Sequence, residues 1–486
     1  MKYLKKSNAW VAIPWIAIIP AILIIFGCTA AGPDYVPPVK EVPEYWQGDS
    51  PGRVTREGPA PGVLAKWWST LNDPILSDLM EKAVGGNKDA GQARARILEE
   101  RARRNISKAG LFPTLDASGS FRKTGSSRET GSKKEVDLYS ADFDAGWELD
   151  IFGGPRRSLE AATAELQASE EDLRDILVSL LAEVALNYTQ VRIFQARLDS
   201  VEKNLVIQDQ THQMAESLYV SGLSNEIAVQ QAKYNLESTR SQIPALRISL
   251  EEAKNRIAVL LGENPGSVHA LLKEKGPVPV CPLEIAAGVP ADVLRQRPDI
   301  RQAERKLAAQ TARIGAATAE LYPKLSLSGS IGYEALDPDK LFLAHSRSYG
   351  FGPRITWPIF SAGSIRSNIE VQSALEKQLL AKYESVVLNA LSEVENQLTI
   401  YMEEQNRKFF LNEARQAAMR AVDLAKIRYQ AGMIDFTGVL DAQRSLLSFE
   451  DSLIQTEGNI ISGLVRLYKA LGGGWTSLAE DQPLKP

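Results

Sequence analysis

Residue types that ordinarily carry chemistry are scarce in this chain of 486 residues. It holds two cysteines, Cys28 and Cys281, and three histidines, His212, His269 and His345, none of them spaced as a pair of metal ligands. No nucleophile–base constellation, metal-ligand cluster or phosphate-binding loop can be read from it, and Gly472-Gly473-Gly474 is only a glycine run closing a helical pattern. The expectation is a protein that is not an enzyme and that needs no metal and no cofactor. Charge narrows the partners: 56 basic against 60 acidic residues give a net charge of −4, without the basic excess that phosphate binding leaves, so no nucleic acid is expected. A mean hydropathy of −0.19 excludes a polytopic helical membrane protein.

Cys28 is the exception, because its surroundings give it a reaction. Lys2, Lys5 and Lys6 precede an apolar run from Ala9 to Phe26, the layout of a secretory signal. That run ends in Ile25-Phe26-Gly27-Cys28, which resembles a bacterial lipoprotein box, in which the thiol is diacylated and becomes the mature N-terminus. Residues 1–27 are therefore expected to be a signal peptide and Cys28 to carry a covalent lipid, whose acyl chains anchor the protein at roughly 0.8 kcal/mol per buried methylene. Thr29 stands where an Asp would favour inner-membrane retention, so the outer membrane of a Gram-negative bacterium is the expected destination. Cys281 is assigned no role.

The rest of the chain repeats itself. Asp89-x-x-Gln92-Ala93 returns 210 residues later as Asp299-x-x-Gln302-Ala303, and Ala109-Gly-Leu-Phe-Pro113 as Ala319-Glu-Leu-Tyr-Pro323. Glu183-Val184, Tyr219-x-x-Gly222 and Leu261-Gly262 recur as Glu393-Val394, Tyr429-x-x-Gly432 and Leu471-Gly472, so one structural unit occurs twice. The expected organisation is an extended segment over 28–72, repeat 1 over 73–262, a proline-rich linker over 263–289, repeat 2 over 290–472 and a tail over 473–486. Each repeat opens with a helix, capped by Asp89 or Asp299, that stops before Pro113 or Pro323.

Strict alternation follows, over about 114–150 and 324–359. Tyr139, Ala141, Phe143, Ala145, Trp147 and Leu149 share one face against Ser140, Asp142, Asp144, Glu148 and Asp150, and Leu325, Leu327, Ile331 and Tyr333 oppose Lys324, Ser326, Ser328 and Ser330. Tyr349, Phe351, Ile355 and Trp357 continue this against Ser348, Arg354 and Thr356. Strands of about ten residues are near the length that crosses a bilayer when tilted, although a half-buried sheet of a soluble domain alternates in the same way. Long helical hairpins come next, at about 155–262 and 362–472. From Leu177 to Leu205 apolar residues recur every 3.5 residues, a coiled-coil spacing, and a helix from about Pro155 to Tyr219 would be some 97 Å long. Four strands cannot close a barrel in lipid, where an open edge leaves backbone groups unpaired, so copies must pool their strands; three copies give twelve. The fold class is thus mainly α with a β-barrel portion.

In order along the chain, the residues resemble a family: the outer-membrane factor lipoproteins of tripartite efflux systems, related to the TolC-type channels. The likeness is carried by Gly32-Pro33-Asp34-Tyr35-Val36-Pro37-Pro38, Trp67-Trp68 before Asp73-Pro74, Arg297-Pro298-Asp299-Ile300-Arg301, Trp357-Pro358-Ile359-Phe360, Arg428-Tyr429-x-x-Gly432 and Val439-Leu440-Asp441-Ala442-Gln443. It implies a homotrimer whose twelve-stranded barrel continues as a twelve-helix periplasmic α-barrel. The partners it implies are a periplasmic adaptor, an inner-membrane RND-type pump and outer-membrane lipid. Family motifs place Asp441 on an acidic ring at the periplasmic gate, with Thr437 one turn earlier; the lesser alternative is that Asp441 simply faces solvent. Gly438 and Ala228 stand where related channels carry acids, so Glu226 or Asp435, acting through Arg428 or Tyr429, are the substitute latch candidates. The adaptor is expected at the hairpin tips, around Ser221-Gly222-Leu223 and Ala431-Gly432-Met433. A type I protein-secretion duct and a structural coiled-coil lipoprotein are the alternatives to a passive efflux duct.

Overall fold

The computed structural model describes residues 30–38, 42–43, 45–46, 54–55, 64–127, 129, 135–279, 285–286, 290 and 295–475. The signal peptide, Cys28 and Cys281 lie outside the described residues. The chain divides into two compact units, one of residues 1–39, 96–169 and 302–383, the other of 40–95, 170–301 and 384–486.

The first unit is built on one four-stranded antiparallel sheet of β1 (Thr114–Gly125), β2 (Glu135–Leu149), β3 (Lys324–Ala335) and β4 (Arg347–Thr356), in that order across the sheet. Its register carries the alternation across all four strands: Ala117, Phe143, Ile331 and Tyr349 form one row, Leu149, Leu325 and Ile355 another. Between these rows run polar ones, such as Asp116, Asp144 and Ser330, where Ser118 Oγ donates to Asp144 Oδ2 at 3.1 Å and Ser120 meets Ser140 at 2.9 Å. Phe143, Ile331, Tyr349, Phe351 and Ile355 are all exposed, so the apolar face is uncovered. The sheet's two edges are β1 and β4.

Each hairpin is stitched to the helix before it in the same way. Helix α2 (Lys88–Ala109) leads into β1 and helix α6 (Pro298–Ala319) into β3. Trp147 Nε1 donates to Leu111 O, and Trp357 Nε1 to Leu321 O, both at 3.0 Å, so an indole satisfies a carbonyl just past each helix end. The N-terminal segment joins this junction: Ala31 N donates to Phe152 O at 2.9 Å, and the buried Arg157 donates to Asp34 and to Ala31 O.

Helix α1 (Pro74–Gly86) and the greater parts of α3 (Gly154–Val220) and α7 (Ser364–Gln430) belong to the second unit. With them are α4 (Glu226–Arg240), α5 (Gln242–Leu260) and α8 (Phe436–Ala470). At 67 residues, α3 and α7 are each about 100 Å long. The 3.5-residue stripe is the packed seam of α3: Leu177, Leu181, Val184, Tyr188, Val191, Leu198 and Val201 are buried, with Phe194 and Leu205 partly so. Trp67 stacks on Tyr468 in the same core, its ring plane 16° from parallel. A polar network runs through it. Asp73 caps α1 through Ile75 N and Leu76 N, accepts from the Tyr188 hydroxyl, and Arg192 donates to that hydroxyl and to Glu274 O.

Four expectations are corrected. Asn87, not Asp89, caps α2, accepting from Ala90 N at 2.9 Å, because α1 ends at Gly86 and leaves Asn87 between the two helices. Asp299 lies inside the first turn of α6 and is clasped by Arg297 rather than standing before the helix. The proline-rich linker, expected from its prolines to run extended, packs Val268 and Leu272 into the core in its first part; further on, Ile285–Ala286 pairs in parallel with Val54–Thr55. The return helix of repeat 1 is broken at Ser241, whereas α8 is continuous. Pro244, in the first turn of α5, would clash with the Arg240 carbonyl in an unbroken helix, and repeat 2 has Ile454 at the equivalent place.

Each return helix ends against the helix that opens its own repeat. Asn87 Nδ2 donates to Leu260 O at 2.9 Å and, 210 residues on, Arg297 NH1 donates to Ala470 O at 2.7 Å. Arg297 also binds Asp299 and Glu393. Partly buried beside it, Asp175 has its pKa pushed up to about 6, by burial first and by the Asp299 carboxylate second, against the pull of Arg297 and Lys469. Such a group favours folding when protonated, an effect complete below about pH 4 and lost as pH rises through about 6. Asp175→Asn is expected to exceed the wild type in stability above pH 6 by on the order of 2 kcal/mol, and not at all below pH 4, in urea unfolding followed against pH.

The return of repeat 1 also needs a close backbone approach. Gly262 has φ +74°, and a Cβ there would sit 2.1 Å from Gly86 O, whereas Gly222 has φ +70° in open space. Gly222→Ala should cost about 1 kcal/mol from backbone strain alone, and Gly262→Ala clearly more, read as the difference in thermal unfolding midpoints of the detergent-solubilised protein.

Candidate functional site at the helical hairpin tips

Both long helices end in the same turn. Gly222 N donates to Tyr219 O and Leu223 N to Leu218 O; Gly432 N donates to Tyr429 O and Met433 N to Arg428 O, all at 2.8–2.9 Å. This is a Schellman closure, with glycine in the left-handed region at φ +70° in both tips. The turn leaves the next side chain facing outward: Leu223 is 77% and Met433 73% exposed, and Ser221, Gly222, Ala431 and Gly432 are exposed with them. Leu223 and Met433, with the exposed Val220 and Ile227 beside the first tip and Ile427 beside the second, are apolar surface features that a partner can cover.

Behind the apices the hairpins pack on one another. Ala215, Ala228, Ala232, Phe436 and Leu440 form a small apolar cluster, against which Tyr429 lies with its ring 5.1 Å from that of Phe436. The Tyr429 hydroxyl reaches Ser224 Oγ at 3.3 Å, tying the second tip to the first. Deeper along the same helices, buried Gln443 donates to Thr211 at 2.9 Å.

Thr437 and Asp441 are both exposed, one turn apart on α8, while Phe436, Val439 and Leu440 face the cluster. Arg444 sits 3.9 Å from Asp441 and is itself fixed, donating to Asn235 Oδ1 and to the Tyr234 hydroxyl at 3.0 Å each. Sequence reasoning missed Arg444, though its spacing in Asp441-Ala-Gln-Arg444 puts it one turn from the carboxylate on the same helix. Among the described residues no ion pair within the chain joins Glu226 or Asp435 to Arg428, and Tyr429 reaches Ser224 across the tips. Ala228 belongs to the apolar cluster behind the tips. It is 5% exposed within the apolar cluster, and its N–H is taken by the Asn225 cap at 3.1 Å, so the position has no place for a carboxylate.

A paired strand hairpin and a long helical hairpin, each present twice in one chain, with tips tied by Tyr429, are the features that mark the class of outer-membrane channel proteins. The family model described as "Outer membrane efflux protein" matches residues 79–263 and again 289–473, a shift of 210 that coincides with the internal repeat. The chain is 32% identical over 461 residues to the solvent efflux pump outer membrane protein SrpC of Pseudomonas putida, covering 94% of this chain and 97% of that protein. To the cation efflux system protein CusC of Escherichia coli O6:H1 it is 30% identical over 454 residues, covering 93% and 97%. The solved structure of the outer-membrane channel OprN superposes with a TM-score of 0.87 at 35% identity, over 92% of this chain and all of that one. The chain belongs to the outer membrane efflux protein family, and it serves in the outer membrane as an efflux channel.

Ala228→Asp buries a carboxylate among alanines and Phe436. The expected result is a loss on the order of 2–3 kcal/mol at the tip, seen as faster amide exchange in α4 and the first turns of α8 while the sheet is unaffected.

Proposed function

We propose that three copies of this chain assemble into a passive export duct, and that its periplasmic end is closed by the α8 segment carrying Thr437 and Asp441. The observation that supports this is the sheet: four strands with one uncovered apolar face and two unpaired edges, β1 and β4, which in lipid would leave rows of backbone groups unsatisfied. Joining β1 of one copy to β4 of the next removes every edge and gives twelve strands. The polar face, with Asp142, Asp144 and Glu148 alongside Lys324 and Arg354, then lines a wet lumen.

At the hairpin tips three Asp441 carboxylates would surround the axis, attracting cations and repelling anions, with Arg444 setting their position. Leu223 and Met433 present the surface on which a periplasmic adaptor docks, linking the duct to an inner-membrane RND-type pump. The lipid on Cys28 holds the assembly in the membrane, and no cofactor takes part. Cargo is small molecules or metal ions, selected by the pump rather than by the duct.

Single-channel recording in planar bilayers tests the gate. Asp441→Ala and Thr437→Ala should each raise conductance, and Asp441→Ala should lower the cation preference read from the reversal potential in a salt gradient. Unchanged conductance in both variants would remove these positions from the gate.

A further inference from the structure

The apolar face of the sheet changes character at the hairpin-loop ends of β3 and β4. Tyr333 and Arg347 are register partners, so Arg347 leaves the sheet on the same face as Ile331 and Tyr349. It is exposed there; the loop's Lys340 is paired with Asp337, while Arg347 forms no ion pair among the described residues. The loop of residues 336–346 borders this face and reaches it at Tyr333. Phe342 meets Tyr333 edge-on with ring centroids 5.8 Å apart, and Ser346 holds the loop closed, its Oγ donating to Lys340 O at 2.7 Å and its N to Leu343 O at 3.0 Å. A mainly apolar cleft of about 610 Å³ results, lined by Phe143, Ile331, Tyr333, Phe342 and Arg347, with Ser118 and Asp142 of the polar rows also on its wall. Leu336, Phe342 and Leu343 are exposed around it.

An apolar cleft with an unpaired guanidinium fits an amphiphile that has an acyl chain and an anionic head, since arginine binds phosphate oxygens through two parallel N–H donors. The fold indicates which leaflet supplies it. Every strand joins a helix at one end and a hairpin loop at the other, and the segment just after Cys28 is bound at the helix end, through Ala31 on Phe152 and Arg157 on Asp34. A lipid on Cys28 enters the membrane from that side, so the 336–346 loop meets the opposite, outer leaflet.

We infer that this cleft takes an acyl chain of a phosphorylated glucosamine lipid of the outer leaflet, lipid A, with Arg347 on one of its phosphates. The inference rests on the reading above in which the apolar face meets lipid. Native mass spectrometry of the full-length protein in detergent, with added bisphosphorylated lipid A or its dephosphorylated form, tests it. Wild-type protein should retain the bisphosphorylated lipid about tenfold better than the dephosphorylated one, the weight of one charge-assisted hydrogen bond. Arg347→Gln should erase that preference, and Phe342→Ala should weaken retention of both lipids. Equal retention of the two lipids by the wild type, or an undiminished preference in Arg347→Gln, overturns the inference. Planar-bilayer conductance of the same preparations separates the two readings: a conducting protein with no lipid preference defeats only the cleft, and a wild type that never conducts defeats the barrel.

Discussion

A helix of 67 residues has to be followed by one that returns, and where the return ends, several carbonyls lack a partner within the helix. In both repeats the residue just before the opening helix supplies a donor: the Asn87 amide to Leu260 O, the Arg297 guanidinium to Ala470 O. Much else follows from these two clasps. They bring the start of α2 to the end of α5 and the start of α6 to the end of α8, so each repeat closes on itself at the base of its hairpin. The packed seam of α3 and the stacked Trp67 and Tyr468 lie in this same unit, and the Asp73–Tyr188–Arg192 network anchors the opening of α1 and the linker to it. The clasps differ chemically. The amide is neutral and doubles as the α2 cap, whereas the guanidinium is charged, buried and surrounded by Asp299, Glu393 and Asp175.

Most of the architecture was legible because it is written in periods. Alternation over four segments gave the strands and their faces, and the register later joined those faces into continuous rows. The 3.5-residue spacing from Leu177 to Leu205 gave the long rod and its buried side. The duplication gave the number of repeats, and its shift of 210 is the shift between the two family matches.

What could not be read depends on contacts distant in sequence or on competition between neighbours. Asp89-x-x-Gln92 has the pattern of a capping box, yet the cap goes to Asn87, since where α1 stops is decided by the packing of Gly86 against Leu261 and Gly262. Charge type says nothing of distance, and among the described residues neither Glu226 nor Asp435 pairs with Arg428 within the chain. Tyr429 instead found Ser224, and Ala228 lies in an apolar cluster assembled from α3, α4 and α8. Arg444 had the right spacing to Asp441, but its anchoring by Tyr234 and Asn235 comes from a helix 200 residues earlier.

The break at Ser241 makes the two halves of the duplication mechanically unlike. A continuous helix such as α8 carries bending and twist from one end to the other, whereas α4 and α5, separated at the turn that Pro244 enforces, form a jointed strut. In the proposed ring of three chains, stiff and jointed hairpins would alternate around the axis. Such a ring would dilate with threefold rather than sixfold symmetry, three rigid staves holding the circumference while three articulated ones swing.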